Sequence, residues 1–150
     1  MSKSVVVTGS AGYVGSHICK QLKNENYNVI GVDRSIVINQ NILKYIDVNL
    51  TGDFADKDIW SEITKHDPIA IIHCAANSLV GPSVDNPAEY YYNNVVKTKQ
   101  LLDNCREVSI NNIVFSSSSS IYGNGHLPPV GENFEKRPLT SYGKSKWITE

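Results

Sequence analysis

The stretch Ser4 to Leu22, SVVVTGSAGYVGSHICKQL, limits what this chain can fold into more than any other. Val5, Val6 and Val7 form a β-branched apolar run that breaks at Thr8-Gly9, the pattern of a short strand buried in a parallel sheet. Val14, Ile18 and Leu22 then recur at helical spacing. Between strand and helix stand Gly9, Gly12 and Gly15, which suit a tight turn, a close approach of backbone to ligand, and a helix packed tightly on its strand. A helix entered in this way aims its unpaired N–H groups at a phosphate.

The spacing G-x-x-G-x-x-G is one residue wider than the common dinucleotide fingerprint, so the flanking sequence has to decide. A second apolar strand, Asn28 to Val32, follows the helix and ends in Asp33, 18 residues past Gly15. A carboxylate there accepts hydrogen bonds from both ribose hydroxyls of an adenosine and repels a 2′-phosphate, which predicts NAD over NADP. Arg34, next to it, opposes that preference because a guanidinium can receive the phosphate. A glycine-rich surface loop before an ordinary helix is the competing reading of the glycines alone.

With 150 residues and a net charge of -1, the chain has room for about one domain, carries no basic stripe for nucleic acid, and has no charged tail. Its apolar runs are too short to cross a membrane, and MSKS lacks the order of a signal peptide. A soluble, cytoplasmic protein is expected. Cys19, Cys74 and Cys105 are odd in number and far apart, which favours buried thiols over a disulfide or a metal set.

Along the chain, Arg34 to Asn41 reads as a loop with room for a short extended piece, and Lys44 to Val48 as a third strand with Asn49-Leu50 at its end. Asp56 to Lys65 predicts a helix stopped by Pro68, and Ile69 to Cys74 a further buried strand running into Ala75-Ala76. The small alanines let a ring or ribose lie close to the backbone. Pro87 suits the first turn of a long helix reaching about Val108, with Tyr91, Val95, Thr98, Leu102 and Cys105 on one face. Asn112 to Phe115 reads as a fifth strand, followed by five serines, and Thr140-Ser141-Tyr142 opens a last helix that the chain end cuts at Glu150. This alternation predicts an α/β fold: a doubly wound, Rossmann-like parallel sheet in the order 3-2-1-4-5.

Tyr142 and Lys146 lie four apart, hence on one helix face. A phenol is a poor base at neutral pH, but an ammonium or a positively charged nicotinamide beside it stabilises the phenolate, which then takes a proton from a sugar hydroxyl. A serine hydroxyl at the end of the fifth strand can bind that same hydroxyl. Of the five serines we take Ser118, against the alternative of a strand-end serine with no chemical role.

The segments TGSAGYVGSH (Thr8 to His17), HCAA (His73 to Ala76), VGPSV (Val80 to Val84), YYYNNV (Tyr90 to Val95), FSSSSSIYG (Phe115 to Gly123) and YGKSK (Tyr142 to Lys146) resemble the extended short-chain dehydrogenase/reductase family. Within it, the VGPSV and NNV pieces resemble the NAD-binding part of its nucleotide-sugar 4-epimerases. The resemblance implies NAD as cofactor and a UDP-hexose as substrate, neither nucleic acid nor membrane as partner, and a homodimer in a full-length form. It implies that Gly9, Gly12, Tyr13, Val14 and Gly15 hold the pyrophosphate and Asp33 the adenosine ribose. Asn49 and Leu50 would lie beside adenine, Cys74, Ala75 and Ala76 along the middle of the cofactor, and Asn94 near the reacting centre.

By the same resemblance Ser118, Tyr142 and Lys146 are catalytic, and Lys146 also holds the nicotinamide ribose. The chain departs from the family in having Asn49 for a usual Asp, Lys97 for a usual glycine, and Ser78 where these epimerases often carry a cofactor-binding lysine. Other nucleotide-sugar epimerases and 4,6-dehydratases are alternatives, although Ser119-Ser120 stands where the dehydratases carry an acidic pair. So is a cofactor-binding module without turnover. The 150 residues are expected to lack the substrate lobe and, on their own, useful activity.

Overall fold

A computed structural model describes residues 2–35, 40–125 and 127–150. Five strands, β1 (Ser4–Thr8), β2 (Asn28–Asp33), β3 (Val48–Thr51), β4 (Pro68–His73) and β5 (Asn112–Phe115), form one sheet in the order β3-β2-β1-β4-β5. Every pairing is parallel, with Val6 between Ile30 and Ile71. The predicted sheet order is the observed one. The helices between the strands are α1 (Tyr13–Asn24), α2 (Gln40–Leu43), α3 (Lys57–Ile63), α4 (Val80–Asp85), α5 (Pro87–Tyr91) and α6 (Lys97–Glu107), and α7 (Ser141–Thr149) follows β5.

Packing divides the chain into two compact units, one running to Ala75 and resuming over Gln100–Ser116, the other made of Ala76–Lys99 and Ser117–Glu150. The first unit contains the sheet. Because side chains alternate along a strand, Val6, Ile30, Val32 and Ile71 point to one face. They pack there with Phe54, Trp60, Ile63, Leu101, Cys105 and Ile110. Val7 and Val29 point to the other face and meet Ile18, Cys19 and Leu22 of α1, with Tyr45 and Ile46.

Three local readings need correction. The stripe that α1 buries is set by Gly15 and Cys19 with Ile18 and Leu22, whereas Val14 is 49% exposed, since its turn projects past the strand ends into the loop. The third strand begins at Val48, not Lys44. Tyr45 and Ile46 close a helical turn onto the carbonyls of Ile42 and Leu43, and their side chains cover β2. Asp47 then marks entry to the ladder: its N–H reaches the Val29 carbonyl, and its carboxylate takes the Val29 N–H and pairs with Lys23.

The long helix expected from Pro87 to Val108 is interrupted, because Tyr92–Val96 forms a π-helical turn between α5 and α6. Part of the loop expected over Arg34 to Asn41 falls on residues 36–39, outside the described residues, and Gln40 already opens α2. Cys19 and Cys105 are buried thiols, as expected, whereas Cys74 is only half-buried; burial pushes Cys19 up to about 12 and Cys105 to about 11. No helix among the described residues is long and apolar enough to cross a membrane.

Candidate functional site

In the first unit the glycines form a backbone cradle at the C-terminal end of β1. Gly9 has φ +71°, a left-handed conformation, and a Cβ added there would stand 2.8 Å from the Ala75 nitrogen. On Gly15 a Cβ would be 2.1 Å from the Gly9 carbonyl oxygen, so α1 presses directly on the turn. Gly12 is the N-cap of α1, and no side chain caps the helix, which leaves first-turn N–H groups open to an anion. Tyr13, 82% exposed, and Val14 belong to that turn. These features fit a dinucleotide pyrophosphate.

Asp33, at the tip of β2, organises the rim of the cradle. Its Oδ2 accepts from the Ala11 N–H at 3.0 Å and its Oδ1 from the Ser35 N–H at 2.9 Å. A carboxylate offers about four acceptor sites, so capacity remains for ribose hydroxyls. Arg34 beside it is exposed. On β3, Asn49 is exposed, whereas Leu50 packs on the core cluster, and Thr51 is the residue paired with Asp33.

At the end of β4 the Cys74 N–H reaches the Thr8 carbonyl and the Ala75 N–H reaches Thr8 Oγ1 at 3.3 Å. His73 Nδ1 lies 2.6 Å from that same hydroxyl, inside the core. Thr8 and His73 thus tie the ends of β1 and β4 together. Sequence reasoning did not single out this brace, because its two members are 65 residues apart.

The second unit contains the remaining candidates. Thr140 caps α7 by accepting from the Gly143 N–H at 3.1 Å, so the helix starts where the sequence predicts. Gly143 allows the first turn to approach the 3₁₀ turn Ser119–Ile121, since a Cβ on it would be 2.7 Å from the Ser120 carbonyl oxygen. Ser118 caps that turn. Its Oγ accepts from the Ser120 N–H at 3.2 Å and keeps its own proton to donate. Tyr142 is half-buried, and Lys146, one helical turn on, is only 3% exposed.

The Asn94 carboxamide is taken up entirely within the protein. Its Oδ1 accepts from the Asn77 N–H at 2.8 Å and from Asn93 Nδ2 at 3.1 Å. Its Nδ2 donates to the Asn77 carbonyl and to Ser145 Oγ, both at 3.0 Å. Ala76, Asn77, Ser78, Leu79, Pro82 and Tyr90 contribute to a cleft of about 370 Å³ in this unit.

The model of the NAD dependent epimerase/dehydratase family matches residues 5–150. The chain belongs to that family. It is 37% identical over 150 residues to UDP-glucose 4-epimerase of Rhizobium meliloti (strain 1021), covering 99% of this chain and 45% of that relative. Among solved structures, UDP-glucose 4-epimerase from Brucella ovis in complex with NAD superposes with a TM-score of 0.90 at 38% identity, over 99% of this chain and 46% of that one. The enzyme from Bifidobacterium longum in complex with NAD+ and UDP gives 0.90 at 31%, over 98% and 47%. The chain therefore spans less than half the length of the relatives it matches.

Asn93 is a candidate that sequence reasoning did not single out. It is buried on the π-helical turn, and its Oδ1 has no partner. A buried acceptor left open is costly unless something fills it. The signal in the sequence was the NN pair itself, from which the second asparagine was chosen; the geometry shows that asparagine to be saturated.

Proposed function

We propose that this chain is the NAD-binding part of a nucleotide-sugar 4-epimerase that interconverts UDP-glucose and UDP-galactose in the cytoplasm, as a homodimer in its full-length form and with no nucleic-acid or membrane partner. The observation that carries this reading is a buried lysine, Lys146, one turn from a half-exposed Tyr142 on the same helix face. The glycine cradle and Asp33 support NAD as the cofactor, as do the family match and the NAD-bound relative from Brucella ovis.

When bound, NAD supplies a reversible hydride acceptor for the sugar C4, which passes through a 4-keto state. The protein's own groups do the rest. Gly9, Gly12, Gly15 and the first-turn N–H groups of Tyr13 and Val14 bind the pyrophosphate, and Asp33 the adenosine ribose, with Arg34 at its side. Asn49 and Leu50 serve the adenine, while Cys74, Ala75 and Ala76 line the middle of the cofactor. Tyr142 takes the proton of the 4-hydroxyl, and Ser118 donates a hydrogen bond to the oxygen. Lys146, on the same helix face as Tyr142, holds the second ribose. Asn93 Oδ1 is the open acceptor for the cofactor, and Asn94 serves the reacting centre through its neighbours.

The test is an interconversion assay on UDP-galactose with the full-length protein and its Tyr142→Phe variant. Removing the proton acceptor while keeping the ring should cut turnover by about 10²- to 10⁴-fold with little change in sugar-nucleotide affinity. Near-normal turnover in the variant would mean that the base lies elsewhere.

A further inference from the structure

We propose that Ser145 is a positioning residue: bonded to Asn94, it fixes the rotation of α7 about its own axis and thereby aims Tyr142 and Lys146. The inference rests on the functional reading above and deepens it. Positions 142, 145, 146 and 149 follow the spacing i, i+3, i+4, i+7, so Ser145 and Thr149 occupy the very face that carries the two reacting side chains.

Ser145 is fully buried. Its hydroxyl donates to the Tyr142 carbonyl at 2.8 Å and accepts from Asn94 Nδ2 at 3.0 Å. One turn on, Thr149 Oγ1 lies 3.1 Å from the Asn94 carbonyl oxygen and 2.8 Å from the Ser145 carbonyl oxygen. The Thr149 hydroxyl shares its single proton between these two carbonyls, so Ser145 makes the firmer dock of α7 on Asn94. That residue sits on the π-helical turn, where wider hydrogen-bond spacing reorients the backbone. Because both atoms of its carboxamide are also bonded to Asn77, Asn94 is a fixed bracket.

α7 packs against α4, α5, the π-helical turn and the 3₁₀ turn, and within that packing its rotation is set by small and polar groups. The residues it buries are Gly143, Ser145 and Lys146, while Trp147 and Ile148 are exposed. Side-chain ends lie about 5–6 Å from a helix axis, so a rotation of about 10° moves them about 1 Å. A displacement of that size costs about a hundredfold in rate.

The experiment titrates NAD and ADP separately into the full chain and into its Ser145→Ala and Thr149→Val variants, with thermal melts of each. ADP reports only the half of the cofactor bound by the glycine cradle and Asp33. Ser145→Ala should weaken NAD by about tenfold, the range of one net hydrogen bond, and leave ADP within about twofold. Thr149→Val, which keeps side-chain volume, should weaken NAD by a smaller factor, about threefold, again sparing ADP. In the active full-length protein Ser145→Ala should lower kcat with KM nearly constant. Equal losses for both ligands, or unchanged NAD affinity in both variants, would overturn the positioning role while leaving NAD binding intact. Failure of the unsubstituted chain to bind NAD would instead overturn the functional reading, and this inference with it.

Discussion

The glycine cradle after β1 and the helix α7 serve the same proposed chemistry but are built in opposite ways. The cradle is backbone packed on backbone: Gly9 against Ala75, Gly15 against Gly9, and two N–H groups on Asp33. In α7 the face that carries Tyr142 and Lys146 is held by side-chain hydroxyls on Asn94. At Gly9 and Gly15 the backbone cradle tolerates no added atom, whereas a hydroxyl clamp loses one bond at a time. The two regions should therefore fail differently when mutated.

The largest effect is expected at Gly15. Its Cβ would stand 2.1 Å from a carbonyl oxygen that cannot move without distorting the turn. Gly15→Ala should abolish measurable NAD binding and lower the melting temperature by about 5–10 °C, consistent with overpacking of about 1–3 kcal/mol. Calorimetry and a thermal melt check both, and a variant that binds normally would mean that the cradle is more plastic than its geometry implies.

Asp33→Ala comes next. It removes the acceptor for the Ala11 and Ser35 N–H groups together with the ribose contact. NAD affinity should fall by about 10- to 100-fold, and the preference for NAD over NADP should shrink, as competitive titration would reveal. A parallel loss for both cofactors would assign Asp33 to loop structure alone.

A smaller change is expected from Thr140→Ala, which deletes the cap of α7. It should cost about 1 kcal/mol, or about 2–4 °C, without altering ADP binding. The smallest effect lies outside both regions. Burial opposes the Asp47 charge, but the Lys23 ammonium and the Val29 N–H prevail and hold its carboxyl below the usual range. Its stabilising contribution is thus present above the unfolded-state value near 3.9 and is lost as pH falls through the lowered folded value. Asp47→Asn should therefore be less stable at pH 7, by under about 1 kcal/mol because solvent screens the pair, and the difference should vanish in acid.

The same contrast explains what could be read from the sequence. Gly9, Gly12, Gly15 and Asp33 were legible because each meets a local backbone demand within one βαβ unit, and the strand order followed from that unit. Thr140 was legible as the residue opening a helix. Asn94 was picked out, but its partners Asn77 and Ser145 lie 17 and 51 residues away, so no local pattern announces the clamp. The start of β3 was misread because Tyr45 and Ile46 are as apolar as strand residues but serve to cover β2. The π-helical turn escaped because one widened hydrogen-bond spacing leaves the helical apolar pattern almost unchanged.

The central claim is that the cradle and Asp33 make this chain an NAD site. Calorimetric titration of NAD into the purified protein, with NADP in a parallel cell, tests it most directly. One NAD bound per chain, more tightly than NADP, is the predicted result; absence of saturable NAD binding, or tighter binding of NADP, would contradict it.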